Sequence, residues 1–430
     1  MSVRNVSLEE RVDGGPLPVP ETGRLALHGG EPAVTAPQPH FRWPLITDAT
    51  RQAVLRQLDE AVSLNDRSGV VARLEQRLEA EFGLPHALLF NTGTSAIFAM
   101  FVGAGLGPGD EVLCPGYTFF ASNSPLFFTG ATPVLVDCDS TGNMDPRKAR
   151  ELVTERTRAV VVTHVWGYPC DMDPLVELCR ERGLLLLEDI SHAYGATYKG
   201  RPVGTFGDAA VLSLQAHKTL TGGEGGVLLT RDDELFYRAL ALGHYTRRCM
   251  LEIPEEHPLH DYAVTGLGLK LRIHPLAAAM AEQQLDTMPA VLAGRRRCAG
   301  ILCRELEAIP GIELPPVPEH ASPSWYGLIF HLDRELFRRG LGGEVLAALT
   351  AEGCSAIDHP KITAPVNRFP LFREPGRVHR GYGSLPEREL AGAEDFFARA
   401  WKLPVWHREE DDGLVGQYLD AIRKVMHHFA

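Results

Sequence analysis

No apolar run in the 430 residues approaches the roughly 20 that a membrane helix needs. A membrane-bound role is therefore not expected. A basic block of the kind that binds nucleic acid is missing as well. Lysine and arginine number 43 against 55 acidic residues, a formal charge of −12, which disfavours polyanionic partners. The densest basic cluster, Arg295-Arg296-Arg297, falls in a helical stretch and reads as a solvated face. The eight cysteines show no CxxC spacing and mostly sit in apolar segments. That usage fits reduced, buried thiols in a cytosolic protein. A well-placed dinucleotide fingerprint is lacking too. Gly103, Gly105, Gly107 and Gly109 follow a helical segment, not a strand, so they read as a turn and a Rossmann dehydrogenase is rejected. The first residues contain acids and no apolar core, unlike a secretory signal. Residues 1–24 read as a mobile N-terminal arm, stiffened by Pro16, Pro18 and Pro20.

Apolar residues make up 44% and charged residues 23% of the chain, the balance of a soluble globular protein, and the length suits two or three domains. Thr47 and Asp48 offer caps for a helix with Ala53, Val54, Leu58 and Val62 on one face. A second helix after Ser68 carries Val70, Val71, Leu74, Leu78 and Phe82, and Gly83 stops it. Apolar strand signals then alternate with helix signals: strands at 86–90, 111–114, 133–136, 159–163 and 184–187, helices near 122–128, 146–153 and 172–182. This is the pattern of a mostly parallel sheet covered by helices, an α/β fold. From 291 onward the pattern changes to a smaller α+β domain, so the expected division is 25–290 and 291–430.

Ligands of parallel sheets bind beyond the carboxyl ends of the strands. The segments at 91–95, 115–119, His164 and 188–189 all fall at such ends. The first, Asn91-Thr92-Gly93-Thr94-Ser95, joins a strand to a helix N-terminus, where free N–H groups and the helix dipole favour an anion. The stretch 188–226 organises the rest. Asp189 ends one apolar run, and a second run at 209–214 leads to a lone Lys218 before the cluster Gly222-Gly223-Glu224-Gly225-Gly226. A strand-end acid and a lysine beside a glycine-rich turn suit pyridoxal 5'-phosphate, which takes lysine as a Schiff base and a carboxylate at its ring nitrogen.

The segments NTGTS (91–95), PGYTF (115–119), HVWGYPCDMD (164–173), EDISH (188–192) and SLQAHK (213–218) with GEGG (223–226) together resemble the DegT/StrS-type sugar aminotransferases. The resemblance covers residues 25–300 most closely. It implies fold type I, with the large domain binding pyridoxal phosphate. It also implies a homodimer, and nitrogen transfer from glutamate or glutamine to a keto sugar or keto cyclitol in a biosynthetic pathway. On this basis Lys218 carries the cofactor and then moves the proton, and Asp189 holds the ring nitrogen protonated. Phe119 stacks on the ring, His192 lies by its hydroxyl, and Gly93, Thr94, Ser95 and Ser213 take the phosphate. Glu188, on the opposite face by strand alternation, is expected to be structural.

One segment departs from the family pattern. Where relatives commonly offer the partner's phosphate an asparagine, Gly268-Leu269-Lys270-Leu271-Arg272 supplies Lys270, a point charge with the reach to do the same. The alternative to transamination is a dehydration or epimerisation on the same cofactor. A retained lysine, preceded by His217, argues for the transaminase.

Overall fold

The structure, a computed structural model, describes residues 23–429. The expected N-terminal arm therefore lies largely outside the described residues. Seven strands make the central sheet: β1 (His86–Phe90), β2 (Glu111–Pro115), β3 (Thr132–Val136), β4 (Thr157–Thr163), β5 (Leu185–Asp189), β6 (Ala209–Ser213) and β7 (Gly226–Thr230). Their order is β1-β7-β6-β5-β4-β2-β3. Only β7 runs antiparallel to its neighbours. The expected parallel sheet is thus present with one reversed strand, which a short apolar run cannot announce because it reads the same in either direction.

Strand alternation sends side chains into two separate cores. Leu88, Phe90 and Val161 join one, while Ala87, Leu89, Val160 and Val162 join the other. Helices cover both, including Gly69–Phe82, whose Gly83 stop adopts φ 62°. The helix Asp48–Glu60 is capped by Thr47, whose hydroxyl accepts from the Thr50 N–H. Its expected apolar face is only partly covered: Ala53 and Val54 are half-buried, while Leu58 and nearby Val62 are exposed. The expected helix at 122–128 is a pair of 3-10 turns, Phe120–Ser122 and Ser124–Phe128. Pro125 there has no N–H to give an α-helical bond.

The C-terminal part builds a second, three-stranded antiparallel sheet from Ile312–Glu313, Leu328–Leu332 and Ala400–Leu403. The long helix Met288–Glu307 leads into it and spans the expected division at 290/291. Two seams bind this part to the first. Thr363–Pro365 pairs with Tyr117–Phe119, and Ala321–Ser322 pairs with Thr197–Tyr198. The first seam directly follows the carboxyl end of β2.

Candidate active site

The chain leaves β1 and enters the helix Gly93–Gly103 through Asn91 and Thr92. The Thr92 hydroxyl caps the helix, accepting from the Ser95 N–H at 3.0 Å. Glycine at 93 is a packing requirement: a Cβ there would stand 2.7 Å from the Cβ of Ser213, the last residue of β6. Gly226, at the start of β7, is equally confined by the Thr92 carbonyl. The helix N-terminus with Thr94 and Ser95, and the Ser213 hydroxyl beside it, form a cradle of N–H and O–H groups suited to an anion.

Asp189 ends β5 and is buried. One oxygen accepts from the Ser122 hydroxyl at 2.6 Å, the other from the Ser191 N–H at 2.9 Å. Its neighbour Glu188 points the other way. That carboxylate, fully buried, accepts from the N–H groups of Gly204, Phe206 and Gly207 and faces His164 Nε2 at 3.2 Å. Alternation along one strand thus gives two adjacent acids different work. Lys218 follows β6 and faces inward. Burial pulls its ammonium down to about 8, against the upward pull of Asp189.

A layer of rings closes the site from the side of the second sheet. Tyr326 lies flat on His192 with centroids 4.2 Å apart and planes at 11°, and Trp166 continues the stack 5.7 Å from His192 at 24°. Lys218 Nζ sits 5.1 Å from the Tyr326 ring centroid. The loop carrying Tyr326 is sewn to the first sheet: the Ser324 hydroxyl donates to the His192 carbonyl, and the Ser324 N–H to that of Gly167. Two bulky residues in this junction hold left-handed backbone, Trp166 (φ 59°) and Trp325 (φ 57°). Such conformations cost about 1–3 kcal/mol each and collect at functional sites. His192 Nδ1 accepts from the Trp166 N–H, so the proton of the neutral ring lies on Nε2. Burial, then Lys218 and Lys402, hold the ring well below its ordinary pKa and hence neutral.

The family model for the DegT/DnrJ/EryC1/StrS aminotransferases matches residues 46–416. The chain belongs to this family. Among its relatives is the spore coat polysaccharide biosynthesis protein SpsC of Bacillus subtilis, 32% identical over 360 residues, which are 83% of this chain and 89% of that protein. A putative L-glutamine:3-amino-2,3-dideoxy-scyllo-inosose aminotransferase of Streptoalloteichus tenebrarius is 31% identical, covering 94% and 98%. The solved aminotransferase from Psychrobacter cryohalolentis superposes with a TM-score of 0.78 at 26% identity, covering 91% of this chain and all of that one.

In this aminotransferase the expected site residues fall into two groups. Gly93, Thr94, Ser95, Asp189, His192, Ser213 and Lys218 lie at or just beyond the carboxyl ends of β1, β5 and β6, together with Phe119 on the adjoining seam. Lys270 does not join them. It is exposed, its backbone bridges His244, and its side chain makes no hydrogen bond or ion pair among the described residues. The solvated-face reading of 295–297 is corrected in part. Arg296 is exposed and Arg297 pairs with Asp412 at 2.7 Å, but Arg295 is buried. Its phase gives the reason: Met288, Val291, Arg295, Cys298 and Leu302 share the buried side of one helix. Ser122, Trp166, Tyr326 and Lys402 were not singled out, although Trp166 stands inside a motif that was. Lys402 Nζ hovers 5.9 Å from the Trp166 ring centroid.

Proposed function

We propose that this aminotransferase moves an amino group from glutamate or glutamine to the keto group of a sugar or cyclitol, with pyridoxal 5'-phosphate as cofactor. The carrying observation is a buried carboxylate, Asp189, held at both oxygens, with the half-buried Lys218 turned towards the Tyr326 ring, beside a cradle for an anion. The residues fit this cofactor at each end: helix N–H groups and hydroxyls for the phosphate, a carboxylate for the ring nitrogen, a lysine for the aldehyde. The names borne by the relatives support the substrate class.

When bound, pyridoxal phosphate supplies an aldehyde that captures an amine and a ring that draws electron density from the adjacent carbon. Asp189 would keep a proton on the ring nitrogen, with its carboxylate fixed by Ser122. Lys218 Nζ would hold the cofactor's aldehyde carbon and would be the base that moves a proton between substrate and cofactor. His192 Nε2 would offer its proton to the ring hydroxyl oxygen. Thr94, Ser95 and Ser213 would hold the phosphate by N–H and hydroxyl groups, with Gly93 allowing the close approach, and Phe119 would lie against the ring. Trp166 and Tyr326 exclude water from the same side.

The protein is proposed to work as a cytosolic homodimer. Support comes from apolar groups that a lone chain leaves uncovered: Leu55, Leu58 and Val62 on one edge, and Met250, Leu251, Tyr262, Val264, Leu267 and Leu269 near the loop that bears Lys270. Lys270 would then reach the phosphate of the neighbouring site. No helix among the described residues is long and apolar enough to cross a membrane. The test is isotopic. Glutamate or glutamine labelled with nitrogen-15 at the amine should pass its label to a hexose or cyclitol ketone, read by mass spectrometry. Label that stays in the donor pool with every such ketone would reject the substrate class.

A further inference from the structure

Arg295 is 2% exposed, and no carboxylate lies within ion-pair distance of it among the described residues. Its single hydrogen bond runs from Nη1 to the Thr219 hydroxyl at 2.9 Å. Nε is buried without an acceptor, and Nη2 donates to no described residue. A buried cation left unpaired is costly, so its missing partner calls for an explanation. No carboxylate acts on Arg295, although Asp411 and Glu410 act on His407 beside it. The guanidinium stacks 4.9 Å from the Trp43 ring centroid, its charge acts on the Tyr326 hydroxyl, and the neighbouring His407 is itself held down by burial and by Arg295.

Arg295 is tied to the reacting amine. Thr219 follows Lys218 directly, and the Trp43 indole N–H donates to the Lys218 carbonyl at 2.8 Å. Tyr326 lies near both cations, with Lys218 Nζ 5.1 Å from its ring. A planar fork of N–H donors against an aromatic wall matches a carboxylate, which accepts two parallel hydrogen bonds.

We propose that Arg295, lodged between Trp43 and the Lys218 turn, is the residue that binds a carboxylate of the amino-acid donor. The inference rests on the transaminase reading given above. It assigns Arg295 to donor recognition: Nε and Nη2 take the carboxylate while the donor amine faces Lys218. A hexose or cyclitol ketone without an acidic group has nothing that needs the fork.

The test uses the cofactor-loaded protein and calorimetric titration with glutarate, a dicarboxylate with no amine to react, against glutaramide, its neutral analogue. Wild type should bind glutarate and ignore glutaramide. Arg295→Gln should weaken glutarate on the order of a hundredfold, for two lost charge-assisted bonds. Arg295→Lys keeps the charge but not the fork and should weaken it roughly tenfold. With glutamate, the concentration giving half-maximal reaction should rise far more than the maximal rate falls. Unchanged glutarate binding in either variant overturns the proposal. So does a fall in maximal rate with no change in half-saturation, which would make Arg295 a brace for the Lys218 turn. If Arg295→Gln does not fold, Arg295→Lys decides alone. Failure of the transaminase reading shows differently: wild type would be inert to every amino acid, whatever the variants bind.

Discussion

His192 and Tyr326 lie face to face, 4.2 Å between centroids, although one follows a strand of the central sheet and the other precedes a strand of the second. The contact makes the C-terminal part a wall of the active site. It also keeps His192 dry. Replacing Tyr326 by alanine opens that face to water, so the His192 pKa should rise towards its ordinary value, because burial is the main force depressing it. NMR titration of the ring measures this directly. A His192 that stays neutral at pH 5 in Tyr326→Ala would show that the stack is not what shields it.

Much of this site was legible in the sequence, for a physical reason. Phosphate cradle, acid and lysine each sit where a strand runs out, and an apolar run followed by small or polar residues marks such a place locally. The wall was not legible. Tyr326 and Lys402 reach the site through pairings between distant segments, Leu328–Leu332 with Ala400–Leu403 and the seam of Ala321–Ser322, and no local pattern encodes those. Arg295 was misread, though a signal existed: it stands in step with Val291, Cys298 and Leu302 on the buried side of its helix.

Glu188 and Asp189 should separate stability from catalysis. Asp189→Asn keeps the hydrogen-bond geometry but cannot hold a proton on the cofactor ring, so turnover should fall on the order of a hundredfold, about 2.7 kcal/mol, with the fold intact. Glu188→Gln presents one acceptor oxygen to N–H groups that now share two, and should cost about 1–3 kcal/mol of stability. Denaturant unfolding and steady-state rates on both variants make the comparison. Equal rate losses with equal stabilities would undo the assignment.

Lys218 predicts two pH dependences. Cofactor-free protein should combine with pyridoxal phosphate through the neutral amine, at a rate that climbs through pH about 8 and not through the ordinary 10.5. The same depression affects folding. Between those two values the unfolded chain holds a proton that the native chain has lost, so the stability of the cofactor-free protein should rise with pH across that window. Lys218→Met should abolish that component. Stopped-flow absorbance and denaturant titrations at several pH values test each part.

The uncovered apolar edge predicts the assembly. Leu267, 65% exposed in the single chain, should lie within the dimer contact. Leu267→Glu should shift the protein towards monomer in light scattering and weaken cofactor retention with it. A variant that stays dimeric would locate the contact elsewhere.

The most direct measurement of the account needs only the donor. The cofactor-loaded protein should be yellow, and borohydride should fix the cofactor on Lys218, found by peptide mass spectrometry. Addition of glutamate or glutamine alone should bleach that colour and raise a near-ultraviolet band from the amine form of the cofactor. A hexose or cyclitol ketone should then restore the yellow better than a small keto acid does. A reduced adduct on any other lysine, or a yellow protein that no amino acid bleaches, would contradict the account.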